Sequence, residues 1–282
     1  MLESSRLIVR NCRLQKNEPR SMSVSMLRIP VCYPTLLLII VASHGCSDSS
    51  QMSDLDNRRQ RIKEQESKFS EESQTRRARS ISILKSQKVP FIDHLPVILT
   101  EEESTRRTTE QVAQRAIALC IVAAKGEGLE QEMIDQLVKE YQLASVFTPK
   151  ESEFIRNPKP TQHDRVQFTW RYECCWVMLW ALGFVDELKP PNSICDVVAA
   201  VTIVRDNGRK GFLEKAELRS QAEILDAADL IYRYHWAVRD AQINNRETTV
   251  NLDSGVVLER HYALNWLIGY MDQEWDDVTT DT

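Results

Sequence analysis

The chain has 282 residues, 42% of them hydrophobic and 27% charged. That is a globular composition, long enough for one large or two small domains. Its 36 basic and 41 acidic residues give a net charge of -5, so there is no basic footprint and no nucleic acid partner is expected. The seven cysteines form no CxxC pair and show no Cys/His spacing of the zinc type; no disulfide framework, metal or cofactor is expected.

Residues 1–25 carry no apolar pattern and read as a start-site extension, with Met22 and Met26 as alternative first residues. Segment 26–46 is different. Arg28 precedes the apolar run Thr35–Ala42, TLLLIIVA, and small residues lead on to Cys46. The run is too short to cross a hydrocarbon core of about 30 Å as a helix, and it fits the apolar region of a secretory signal. Gly45-Cys46 resembles a bacterial lipoprotein cleavage site, although Ser43 stands where an aliphatic residue is usual. Cys46 is the candidate lipidation residue. Residues 47–75, rich in Ser, Gln, Glu and Arg, read as a charged disordered tether. The expected location is the cell envelope, anchored to the membrane through the N-terminus; a secreted, periplasmic or cytoplasmic chain is the alternative.

The folded domain is expected over 76–282. From Ile81 a short helix leads into an extended segment holding Pro90 and Pro96. Thr100 and Glu103 have capping-box spacing before a helix over Thr105–Lys125, which Gly126 and Gly128 stop. Met133–Tyr141 is amphipathic. Thr148-Pro149-Lys150-Glu151 starts a short helix that ends before Asn157-Pro158. His163–Leu182 is apolar on nearly every side, with Gly183 as its stop, so it is expected at the centre. Pro190-Pro191 forces a turn, Ser193 and Asp196 cap a helix to about Arg205, and Asn207-Gly208 turns again.

Leu218–Ala241 is the longest unbroken helical pattern, and the chain is read as organised around it. Asp226, Asp229, Arg233 and Asp240 share one narrow stripe of its wheel, read as the solvent edge. His235 and Arg239 break its apolar arc. Asn244–Ser254 is loop-like with a short strand at Thr248–Asn251, Val256–Met271 is a further helix, and the chain closes on the acidic QEWDDVTTDT, with Trp275 expected to dock. The fold class is mainly α: a single compact multi-helix domain with buried central helices and little or no β.

Five segments in order (LPVILTEEES with EQVAQRAIAL, FTWRYECCWVMLWALGFVDEL, LRSQAEILDAADLIYRYHWAVRDA, VVLERHYALNWL and WDDVTTDT) resemble the bacterial domain of unknown function 4272. The resemblance spans roughly Arg76 to Thr282. It implies one folded domain behind a separate N-terminal address, and it assigns no activity and no functional residue.

Charge interrupts several apolar helix surfaces: Arg115, Arg171 with Glu173, His235 with Arg239, and Glu259 with Arg260. Such groups must find one another, water or a ligand. One reading is a polar network that locks the helices in register. The other is a cleft, with Glu173 or Glu259 as base, His235 as proton shuttle, and Arg171, Arg239 or His261 holding a ligand. A metal held by His235, His261 and a carboxylate is the third. Cys120, Cys174, Cys175 and Cys195 lie in buried-looking stretches and are not expected to be nucleophiles. The leading expectation is a membrane-tethered, non-enzymatic domain that binds a protein or small molecule. The rival is a hydrolase or metal-dependent enzyme using the Glu/His/Arg cluster.

Overall fold

A computed structural model describes residues 70–246 and 251–282. The start-site extension, the signal-like segment with Cys46, nearly all of the tether and most of the expected strand at Thr248–Asn251 lie outside the described residues. Within them the regular structure is helical, without a strand, as the missing sheet signature in the sequence requires.

Helix α1, Glu71–Ser86, starts ahead of the expected boundary, so the fold takes in the end of the stretch read as tether. Ser70 caps it by accepting from Ser73 N at 3.1 Å. Thr100 and Glu103 do make the reciprocal bonds of a capping box, at 2.9 and 3.2 Å, but around an isolated turn. The cap of the next helix, α2 (Thr109–Glu127), is Thr108 with Gln111.

The hub of the domain is α2, not the 218–241 stretch. Every residue from Arg115 to Ala123 is buried. Helices α3 (Gln131–Glu140), α4 (Pro149–Arg156), α5 (Gln162–Thr169), α6 (Arg171–Ala181) and α7 (Val197–Lys215) all pack against it. Alanines along α2 leave room for backbones to approach. At Gly126 a Cβ would stand 2.7 Å from Thr169 N of α5, so the side chain is missing where α5 needs the space.

The apolar run expected as one helix over 163–182 is divided at Trp170 into α5 and α6, with Thr161 and Asp164 forming the capping box of α5. Asn207-Gly208 bends α7 rather than ending it: Gly208 sits at φ 57°, and Asn207 Nδ2 donates to Ile203 O at 2.7 Å. The cap of α7 is Asp196, which accepts from Ala199 N.

Helix α8, Gln221–Ile243, lies between α1 and α9 (Ser254–Leu267), and α9 in turn packs on α6. The described residues thus form one helical core in which α6 and α9 join the α2 cluster to α8 and α1. Trp275 docks as expected. It is buried edge-on to Tyr262 and Trp266, with the Arg115 and Arg171 guanidinium groups 5.2 and 5.9 Å from its ring centre.

The stripe read as the solvent edge of α8 is covered at its middle, while Asp226 and Asp240 stay partly exposed. Asp229 and Arg233 are sealed, 0% and 1% exposed, and joined by two bonds of 2.8 Å. Asp226 faces α1, accepting from Arg76 Nε at 3.2 Å and Arg79 Nη2 at 2.6 Å. A helical wheel shows that these residues share a side; it does not show that an arginine-bearing helix from 150 residues earlier lies across it.

Candidate functional site

The candidate residues converge on α9. Glu259, Arg260 and His261 are consecutive, so their side chains leave the helix about 100° apart. Each direction meets a different partner. Glu259 Oε2 accepts from Arg171 Nη1 of α6 at 2.9 Å. Arg260 Nε reaches Glu173 Oε2 of α6 at 3.2 Å, and its Nη1 donates to Lys189 O at 2.7 Å. His261 Nδ1 lies 2.8 Å from His235 Nδ1 of α8. Two of the sets of buried charge, Arg171 with Glu173 and Glu259 with Arg260, meet on this helix together with His235, but as separate pairs.

Glu173 is sealed, and the Cys195 N–H donates to its Oε1. Burial pushes its pKa above the ordinary carboxylate value, while Arg260 and the Cys195 amide pull it back. The Arg171–Glu259 pair is less enclosed, with side chains 23% and 14% exposed. Arg171 also lies over the Tyr262 ring, 4.7 Å from its centre. The Cys174 thiol donates to Glu259 Oε2 at 3.1 Å. Burial raises the pKa of this thiol well above its usual range, so it remains protonated and is a poor nucleophile.

The imidazoles of His235 and His261 are both buried and set edge to face, with ring centres 5.1 Å apart. Burial, helped by the Arg239 charge, lowers the His235 pKa to about 4. Burial and the neighbouring His235 lower that of His261 to about 3. At neutral pH both rings are uncharged, and one must donate while the other accepts. Arg239 does not join the cluster: it is exposed and donates to Gln242 Oε1 at 3.3 Å.

Three further arrangements fall outside the α9 cluster. Arg115 Nη1 contacts both Glu151 oxygens, at 2.8 and 2.7 Å, so the carboxylate that caps α4 also holds a guanidinium from α2. The buried Lys125 Nζ donates to Gln131 Oε1, Ile155 O and Asn157 O at 2.6–2.8 Å; burial lowers its pKa. Tyr172 OH donates to Glu127 Oε2 at 3.1 Å, and burial pushes the Glu127 pKa up to about 7. Sequence reasoning missed Lys125 and Glu127, because a charged residue beside a glycine stop reads as an ordinary helix end. The one available signal was the apolar run that precedes them.

The described residues form an all-helical domain whose helices are crossed by polar pairs. The model of the family named "Domain of unknown function (DUF4272)" matches residues 76–278, and the chain belongs to that family. No curated protein and no solved structure gives a match.

Proposed function

We propose that this chain is a membrane-tethered, non-enzymatic interaction domain of the bacterial cell envelope, with its buried charges serving as scaffold. One observation carries the scaffold reading: Glu259, Arg260 and His261 are each engaged by a different side chain of α6 or α8. A cleft that holds substrate keeps a charged group directed at the ligand, whereas these groups are directed at one another. The tether reading is supported by Arg28, the apolar run Thr35–Ala42 and Gly45-Cys46. Among the described residues no helix is long and apolar enough to cross a membrane; on this reading the acyl chains on Cys46 supply the attachment. Each buried CH₂ contributes about 0.8 kcal/mol, and two or more chains anchor firmly.

The rival reading, a hydrolase or metal-dependent enzyme, is favoured by the partial exposure of Arg171 and Glu259. Chemical denaturation of Glu259→Gln and Arg171→Met separates the two. The scaffold reading expects both variants to lose stability. A gain in stability on removing either charge would show strain held for chemistry and overturn it. Membrane fractionation of Cys46→Ser tests the tether, which fails if association with the membrane is unchanged.

A further inference from the structure

We propose that segment 273–282 is exchanged between two copies of this chain, each copy filling the other's groove between α9 and the starts of α2 and α4. The segment carries Glu274, Asp276, Asp277 and Asp281 and no basic residue. Four side chains of the groove donate to its main-chain carbonyls: Arg107 to Gln273 O at 3.0 Å, Tyr262 to Trp275 O, Lys150 to Asp276 O at 2.8 Å and Asn265 to Thr279 O at 2.8 Å. Trp275 is the apolar anchor. It is 3% exposed, with the Trp266 ring centre at 5.5 Å and the Arg115 guanidinium at 5.2 Å. These contacts hold any chain that presents the same residues, and nothing in them requires the segment to come from the same copy.

The joint between α9 and the segment favours the exchange. Gly269, Met271 and Asp272 sit at φ 66°, 53° and 53°, three left-handed residues within four. Glycine takes that conformation freely, whereas a Cβ crowds the following carbonyl there. Such strain persists only where the surroundings impose it. The Met271 side chain is 67% exposed, so its own packing does not impose it; the docking of segment 273–282 does. When the joint extends, Met271 and Asp272 leave the left-handed region, and residues 269–272 reach about 13 Å. Short hinges under strain are those through which copies swap an element.

A second copy fits this groove better than a foreign acidic peptide does. A foreign peptide in the groove would leave Trp275 of this chain in water. Reciprocal exchange keeps both grooves filled and both Trp275 rings buried, so the closed monomer and the exchanged dimer share their groove contacts. They differ in the strain of the two joints and in the entropy of association, and the balance moves with concentration. The inference is independent of the envelope reading: it requires only the groove and the segment that fills it.

The test is zero-length carbodiimide cross-linking of the full chain. Equal amounts of unlabelled and heavy-nitrogen-labelled protein are equilibrated together at about 100 μM, since exchange grows with concentration. Lys150 lies against Asp276, and an amide formed between the two side chains is read by mass spectrometry. The expected result is a Lys150–Asp276 cross-link whose two peptides carry different labels. Met271→Gly takes the left-handed φ without strain and lowers the mixed-label fraction about fivefold or more. Cross-links that all carry a single label would overturn the proposal, because the segment then stays on its own copy. Suppression of those single-label cross-links by the free peptide QEWDDVTTDT would further assign the groove to a foreign partner. A mixed-label fraction unchanged in Met271→Gly would also overturn it, since copies held together through another part of the chain, the apolar run Thr35–Ala42 included, do not sense this joint.

Discussion

Arg260 Nε lies 3.2 Å from Glu173 Oε2, with both side chains nearly sealed from solvent. Burial outweighs Arg260 in setting the Glu173 pKa, and the pair joins α6 to α9. Removing one partner leaves the other as an uncompensated buried charge. Arg260→Met and Glu173→Gln are each expected to cost about 3–5 kcal/mol. The double variant Glu173→Leu with Arg260→Met should recover much of that loss. Urea unfolding of the single and double variants checks this, and additive losses would contradict it.

The histidine pair makes the domain acid-sensitive. The folded pKa values of about 4 and about 3 lie below the unfolded value of about 6.5. The unfolded chain therefore takes up protons first as the pH falls. The contribution of the pair is complete above about pH 6.5 and is lost as the pH falls toward 4 to 3, with a slope of up to about 1.4 kcal/mol per pH unit for each ring. Melting temperatures across pH 7 to 4 should drop more steeply for the native chain than for His235→Gln.

Glu127 has the opposite sign. Its folded pKa of about 7 lies above the unfolded carboxylate value, so its contribution is present below about pH 4.5 and is lost as the pH rises through 7. Glu127→Gln keeps an acceptor for Tyr172 OH. It should stabilise the domain by on the order of 1–2 kcal/mol at pH 8 and very little at pH 4.5. Melting at the two pH values is the measurement.

Helix α1 is held mostly by polar contacts. Its buried face is Ser73, Arg76, Ser80 and Leu84, and Arg76 reaches Asp226, Leu99 O and Glu72 at 3.2, 3.1 and 2.5 Å. Arg76→Ala should cost about 1–3 kcal/mol and speed amide exchange over residues 71–86 while leaving α2 protected. Arg79, half exposed beside the same Asp226, should cost under about 0.5 kcal/mol as Ala.

Two glycines should respond oppositely to alanine. At Gly255 a Cβ would stand 2.6 Å from the Trp170 ring, so Gly255→Ala should lose about 1–3 kcal/mol through overpacking. At Gly211, within α7, the nearest atom is Asn207 Cβ at 3.9 Å, and Gly211→Ala should gain about 0.5–1 kcal/mol from helix propensity. Thermal melting of the two variants decides both.

The sequence by itself determined the helical class, the ends of several helices and the docking of Trp275. These follow from local rules: the 3.6-residue period, the Thr148/Glu151 cap, the left-handed Gly128 stop at φ 116° and an apolar ring near the C-terminus. It also marked Arg171, Glu173, His235, Glu259, Arg260 and Arg115 as charges that need partners, because burial without compensation is costly whatever the fold. Tertiary structure decided which partner each one takes. Adjacent residues of one helix point in different directions, and what lies in each direction depends on how α6 and α8 pack on α9. Arg239 and Asp229 show the limit most plainly. A wheel sets Arg239 in the apolar arc and Asp229 on the polar edge, yet the first is exposed and the second sealed, because a neighbouring helix covers one side of α8 and leaves the other open.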